Sequence, residues 1–303
     1  MLAARVVVAY PAPPDSAPGQ GVAPGAQTWW NMVMNECERY LFDLNGYLVV
    51  RSVLTAADIG NVRAEVRAAG VDQVLASHRY VHAGFPPDYY DHGPAEESGY
   101  KYLRDSYLLD WGPAIRSLVA HPRLIPYLQA LIGSSFRLDH AYGVFARGKT
   151  ASHALHNGGT PFDPVQAYNV HDGRMHNSMV VVEFALTDVG ERDGGFCCIP
   201  GSHKSNFPLP SEFHKLDELD ATCRSCVTYV AMAAGDALIF TEAVTHGAFG
   251  WAGKADRMAL LYKYCHGGMQ WEKKSPFVSS GHAWDDRQTR VLGPPYVGGR
   301  PAS

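Results

Sequence analysis

Two histidines and an arginine stand at spacings that can do chemistry together. His156 lies in Ala-Leu-His-Asn-Gly-Gly, His246 follows in Val-Thr-His-Gly-Ala ninety positions later, and Arg257 comes eleven residues beyond that. Neutral imidazoles ligate divalent metals well, and two of them with one carboxylate leave part of the coordination sphere open. A guanidinium offers parallel N–H donors that match a carboxylate in geometry and charge. A histidine at the end of one strand and an arginine on the next would hold a metal and a small dicarboxylate side by side. The interval between the two histidines suits the first and last ligand positions of a double-stranded β-helix.

The elements that must position these residues follow in two blocks. Helical periodicity covers 29–45 and stops at Asn45-Gly46; Tyr47 to Val50 reads as a short strand. Thr55, with Asp58 three residues on, caps a helix over 56–69 that Gly70 ends. Residues 77–101 read as a long loop rich in His, Tyr, Pro and Asp, the kind that forms lids and binding loops. Two further helices are predicted over 113–120 and 122–132. From Phe136 onward, short β-rich runs alternate with Gly, Pro and Asp: 136–146, 179–186, 227–231, 237–240 and 258–264. The expected fold is mainly β with flanking helices, around a double-stranded β-helix (jelly-roll, cupin-like) core. Residues 1–28 read as a flexible tail and 29–303 as a single domain. Within that domain the helical part is 29–135, the core 136–266 and a C-terminal extension 267–303.

Several runs carry a family resemblance. Phe-Asp-Leu-Asn-Gly-Tyr-Leu-Val-Val (Phe42 to Val50) followed by Leu-Thr-Ala-Ala-Asp-Ile (Leu54 to Ile59) resembles the opening of the phytanoyl-CoA dioxygenase (PhyH) family. Residues 122–133 resemble that family's helix before the barrel. The segments from Gly194 to Lys204, Ala234 to Phe240 and Thr245 to Gly247 resemble its central loop and last ligand strand. The resemblance spans roughly 40–266. It implies a jelly-roll core, Fe(II), 2-oxoglutarate as co-substrate and molecular oxygen. By residue matching it makes His156 and His246 iron ligands and Arg257 the 2-oxoglutarate anchor. Arg147 and Tyr142, on the strand before His156, become candidate co-substrate contacts.

One position departs from the family. Its first ligand motif is usually His-x-Asp; this chain has His156-Asn157-Gly158. Glu183, alone in the apolar run Met-Val-Val-Val-Glu-Phe-Ala-Leu, is the candidate replacement for the metal, with a substrate contact or a solvent-facing strand position as alternatives. A His-x-Gly pattern is also how related halogenases vacate a site for chloride. Loss of activity, leaving a binding module, is the third possibility. Asp163 and Asp172 are further carboxylates near His156 in sequence, read as loop residues.

The expected activity is therefore oxidation of an aliphatic C–H of a small organic substrate, with succinate and carbon dioxide as co-products. His153, His171 and His176 read as loop histidines, with a spare-ligand or substrate contact the alternative for His153 and an active-site rim role the alternative for the other two; His203 reads as a structural turn residue. Tyr100, Tyr102 and Arg104 could line an entrance, and Trp251 could wall the pocket or cap the barrel. The formal charge of −4 over 303 residues carries no basic excess, which argues against nucleic acid as a partner. No run of about eighteen apolar residues suggests a membrane span. Six scattered cysteines, with a single Cys223-x-x-Cys226, read as reduced thiols of an intracellular, cytoplasmic protein. Organelle targeting by the tail stays open. The sequence carries no signal of oligomeric state.

Overall fold

The computed structural model describes residues 34–85, 100–103, 107–272 and 281–297. The expected tail, residues 29–33 of the first predicted helix, Arg104, Lys273 and Lys274 lie outside the described residues.

Helix α1 (Glu36–Asn45) begins on a reciprocal cap between Asn35 and Glu38 and ends at Gly46, whose φ of +81° suits glycine. Strand β1 (Tyr47–Val50) and helix α2 (Ala56–Ala68) follow, the latter opened by the Thr55–Asp58 capping box. Helix α3 (Val71–Leu75) then leads into strand β2 (Tyr80–Ala83). That strand falls where a loop was expected, and all four of its residues are buried. It pairs antiparallel with strand β4 (Arg137–Ala146) and parallel with strand β3 (Tyr100–Leu103). Tyr-Val-His-Ala has no period-2 contrast because both its faces are covered, so alternation could not announce it. Helices α4 (Pro113–Ser117) and α5 (Ile125–Leu131) complete the helical block.

Beyond β4 the chain runs through β5 (His153–His156), the hairpin β6 (Tyr168–His171) and β7 (Arg174–Asn177), β8 (Met179–Ala185) and β9 (Gly195–Cys198). Helix α6 (Ala221–Ser225), then β10 (Thr228–Tyr229), β11 (Ala237–Thr241), β12 (His246–Phe249) and β13 (Arg257–Cys265) follow, with helix α7 (Asp286–Val291) near the end. Among the described residues one sheet has the order β1-β11-β8-β13-β4-β2-β3 and a second β10-β9-β12-β5. Apart from β2–β3, neighbouring strands in these two sheets are antiparallel. The architecture is the jelly-roll core flanked by helices that the motif order implied.

Strand β8 shows why one stretch of chain serves two cores. Val180, Val182 and Phe184 join the cluster beneath the helices, while Val181 and Ala185 join the cluster that also contains Phe196 of β9. Strand β13 repeats the division. Tyr262 and Tyr264 point to the helical layer and donate to the carbonyls of Ile115 (2.8 Å) and Val119 (2.9 Å). Arg257, Ala259, Leu261 and Lys263 occupy the alternate positions, and Ala259 and Leu261 belong to the second cluster. With each buried aliphatic or aromatic side chain contributing roughly 1.5–3 kcal/mol, both faces of the large sheet resist exposure. This disposes of a solvent-facing position for Glu183, which is 2% exposed.

The loop from Gly201 to Lys204 ties the two halves. His203 donates through Nε2 to the carbonyl of Asp43 (3.0 Å), and Lys204 Nζ donates to the same carbonyl (2.6 Å). His203 is therefore a buried docking residue for the end of α1. Among the described residues no helix is long and apolar enough to cross a membrane. The six cysteines form no disulfide.

Candidate metal and co-substrate site

His156 and His246 are partners across the β5–β12 ladder, with ring centroids 4.3 Å apart. Each ring is oriented by a backbone carbonyl: Nδ1 of His156 lies 3.1 Å from the oxygen of Ala154, and Nδ1 of His246 lies 2.8 Å from that of Val244. A carbonyl only accepts, so Nδ1 carries the hydrogen and Nε2 keeps its lone pair for a ligand. Burial above all pushes His156 down to about 3, and a proton on His246 or His153 would lower it further. Burial likewise lowers His246, against the pull of Glu242. Both imidazoles are neutral, the form that binds a metal.

A carboxylate joins them from the turn between β11 and β12. His156, Glu242 and His246 each offer a ligand atom within 4.8 Å of the others. Neighbouring ligands on one ion, with bonds of about 2.0–2.2 Å, stand roughly 3 Å apart, so the three side chains would close in by about an ångström or more around a bound ion. Glu242 Oε1 faces Lys263 Nζ at 2.9 Å and His246 Nε2 at 4.0 Å, whereas Oε2 is buried without a partner. Burial raises the Glu242 pKa, but the Lys263 ammonium foremost outweighs it and brings it to about 2. Two neutral nitrogens and a charged oxygen, one carboxylate atom left open, suit a non-haem iron.

The loop after His156 is stitched to that turn. Asn157, at a left-handed φ of 64°, donates through Nδ2 to the backbone carbonyl of Glu242 (2.8 Å), and Thr245 Oγ1 donates to the carbonyl of Asn157 (3.1 Å). Gly158 has φ of +135°, and a Cβ there would stand 3.0 Å from Thr245 Oγ1.

Around this trio lies a cavity of about 660 Å³. Arg257 lies in its wall, 3% exposed, with Nη2 2.8 Å from Glu183 Oε1 and a hydrogen bond to Tyr80. Burial works against the guanidinium charge, and Glu183 with Tyr80 raises its pKa nonetheless. Tyr142 lines the cavity, stacked on Phe85 at 4.5 Å. His82 and His153 line it too, their rings parallel at 6.4 Å.

The structure thus brings His156, His246, Arg257, Tyr142 and Glu183 to one cavity. Glu183 is placed on Arg257 and is not in the three-ligand group. Arg147 stands apart in an ion-pair cluster: its guanidinium grips Asp256 (2.6–3.1 Å) and reaches Asp72 (3.2 Å). His171 and His176 sit on the β6–β7 hairpin, outside the cavity lining. Trp251 is buried, its Nε1 donating to the carbonyl of Ala255 (2.9 Å). The side chains of Tyr100, Tyr102 and Arg104 lie outside the described residues. Sequence reasoning missed Glu242, Asn157, Lys263 and Tyr80. Glu242 had one available signal, a carboxylate four residues before the distal histidine in a turn that presents both.

A family model of phytanoyl-CoA dioxygenase matches residues 42–259. The chain belongs to the phytanoyl-CoA dioxygenase (PhyH) family. This PhyH protein is a non-haem iron, 2-oxoglutarate-dependent enzyme. Among solved structures it is similar to HygX from Streptomyces hygroscopicus with nickel and 2-oxoglutarate bound. The two are 25% identical, with a TM-score of 0.62 over 78% of this chain and 90% of that one. HygX with iron bound is 22% identical, with a TM-score of 0.60 over 79% and 90%. The non-haem α-ketoglutarate-dependent carbocyclase SnoK from nogalamycin biosynthesis is 20% identical, with a TM-score of 0.53 over 85% and 92%. These last two show the fold alone. No curated protein sequence matches the chain.

Proposed function

We propose that this PhyH protein hydroxylates an aliphatic C–H of a small organic molecule. It would convert 2-oxoglutarate, oxygen and substrate R–H into succinate, carbon dioxide and R–OH. His156, Glu242 and His246 would hold the iron, and Arg257 would anchor the distal carboxylate of 2-oxoglutarate. One observation carries this reading: three ligand atoms within 4.8 Å of one another share a cavity with a buried guanidinium.

Iron, when bound, supplies the oxygen-activating chemistry that no side chain here possesses. The protein's own residues do the rest. The carbonyls of Ala154 and Val244 lock the two rings with Nε2 inward, and Lys263 keeps Glu242 ionised. Arg257 meets the distal carboxylate with charge-assisted hydrogen bonds. Phe85, Tyr142 and Trp271 give the cavity apolar wall, which excludes water from the reacting centre. The volume lies in the usual range for small-molecule sites, and HygX has been crystallised with hygromycin B.

Glu242 also bears on the halide alternative. Gly158 alone would leave the carboxylate place open for chloride; a carboxylate arriving from the neighbouring turn favours hydroxylation.

The test is anaerobic addition of Fe(II) and 2-oxoglutarate. A visible charge-transfer band is expected for the wild type and none for His246→Ala. No band from the wild type at millimolar 2-oxoglutarate (on the order of ten times a typical KM) would end the proposal.

A further inference from the structure

The cations of β13 do not stand alone. Arg257 and Lys263 both face the cavity, and each has its own carboxylate: Glu183 for Arg257 at 2.8 Å, Glu242 for Lys263 at 2.9 Å. Glu242 belongs to the metal trio. Glu183 ligates nothing there, yet it is 2% exposed in a strand of valines, at a place where an apolar residue would cost far less.

The guanidinium has little freedom to leave its partner. A Cβ on Gly195 of β9 would stand 3.3 Å from Arg257 Nε and 3.5 Å from Cζ, so the neighbouring sheet touches that edge. Tyr80 takes another hydrogen bond, and Nε is buried with no partner. A second carboxylate approaching Arg257 would therefore meet a neutral ion pair. It would lose its water and sit within a few ångströms of the Glu183 oxygens, where like charges repel.

We propose that Glu183 sets co-substrate selectivity: by neutralising Arg257 it weakens the hold on the distal carboxylate of 2-oxoglutarate and admits 2-oxo acids with uncharged tails. The inference rests on the reading of Arg257 as the co-substrate anchor. Glu183 acts through Arg257 as a positioning and selectivity residue. It explains why a carboxylate is kept in this strand, which neither metal ligation nor solvent exposure does.

The experiment measures binding, so no substrate is needed. Mn(II)-loaded protein is titrated anaerobically, by calorimetry, with 2-oxoglutarate and with 2-oxopentanoate, a five-carbon 2-oxo acid lacking the distal charge. The proteins are the wild type, Glu183→Gln and the double variant Glu183→Gln/Arg257→Gln. Glutamine keeps the size of Glu183 and can still accept from Arg257, and the double variant leaves no buried charge without a partner. In Glu183→Gln, 2-oxoglutarate is expected to tighten by roughly tenfold or more, the change that about 1.4 kcal/mol makes. The dissociation constant of 2-oxopentanoate should move less than about threefold, since its tail presents no charge to repel. An unchanged or weaker 2-oxoglutarate affinity in Glu183→Gln would overturn the proposal, as would equal tightening of both acids. Loss of the gain in the double variant supports the route through Arg257. Retention of the gain there would show that Arg257 is not the anchor, and the proposal would fall with its premise. Thermal melts of all three proteins confirm folding before titration.

Discussion

The side-chain amide of Asn157 donates to the backbone carbonyl of Glu242 across 2.8 Å, joining the residue after the first histidine to the carboxylate four residues before the second. This bond gives Asn157-Gly158 a physical meaning. Beside a glycine at φ of +135°, the asparagine reaches over to hold the turn that carries Glu242. Asn157 is suited to the task because asparagine tolerates its left-handed φ of 64°.

Asn157→Gly keeps the backbone conformation accessible and removes only the amide. Loss of a group that orients a ligand typically costs roughly 10–100-fold in metal affinity. Mn(II) titration of Asn157→Gly should show a loss in that range. An affinity within about twofold of the wild type would mean that the clamp does not govern Glu242.

Glu242 and Lys263 allow ligation to be separated from stability. Glu242→Gln leaves a buried ammonium without its carboxylate, a loss of roughly 3–5 kcal/mol. Adding Lys263→Met removes the stranded charge, so the double variant should recover most of the melting temperature. Metal binding should stay impaired in both, because each carries a neutral amide where Glu242 offers a charged carboxylate. If the double variant regained metal affinity along with stability, Glu242 would not be a ligand.

How much of this was legible can be read residue by residue. That His156, His246 and Arg257 share one cavity was anticipated by short motifs around each residue, and the helices announced themselves through caps such as Thr55–Asp58. Glu242 was hidden because its place depends on register: the β5–β12 ladder sets its turn beside His156. Strand β2, with Tyr80 and His82, was hidden because burial of both faces removes the alternation that marks a strand. The family resemblance made Arg147 a candidate co-substrate contact, but Asp256 and Asp72, far away in sequence, hold it at the surface. Local patterns reported residue types; the partners came from long-range pairing.

Gly46 offers a test of how the helical block supports the site. A Cβ there would lie 2.7 Å from His203 Nδ1 and 3.0 Å from Val244, two residues before His246, on a backbone at φ of +81°. Gly46→Ala should cost about 2–4 kcal/mol, combining the left-handed penalty with overpacking. Gly173, at φ of +69° with nothing within 4 Å, is the control. Gly173→Ala should cost only about 1–2 kcal/mol in urea denaturation. Equal losses would show that contact with His203 and Val244 adds nothing to the backbone penalty.

The buried histidines make the fold sensitive to mild acid. Burial, with the charge of Arg123, pushes His121 down to about 4; Asp58 opposes and Arg287 reinforces this. Burial also brings His203 to about 4, with Lys204 reinforcing and the carbonyl and carboxylate of Asp43 opposing. The ordinary histidine value is 6.5. Between 6.5 and 4 the unfolded chain binds a proton at each position that the folded chain refuses, so stability falls as the pH falls. The loss begins below 6.5 and is complete once the pH passes below the folded value. At pH 5 each histidine contributes a loss on the order of 2 kcal/mol. His82, pushed by burial to about 3, adds in the same direction. Melting temperatures of the metal-free protein should therefore drop by several degrees from pH 7 to pH 5. His121→Asn, with no titrating ring, should flatten part of that slope. A melting temperature that stays level across this interval, or a slope that His121→Asn leaves intact, would show that these rings do not resist protonation in the folded chain.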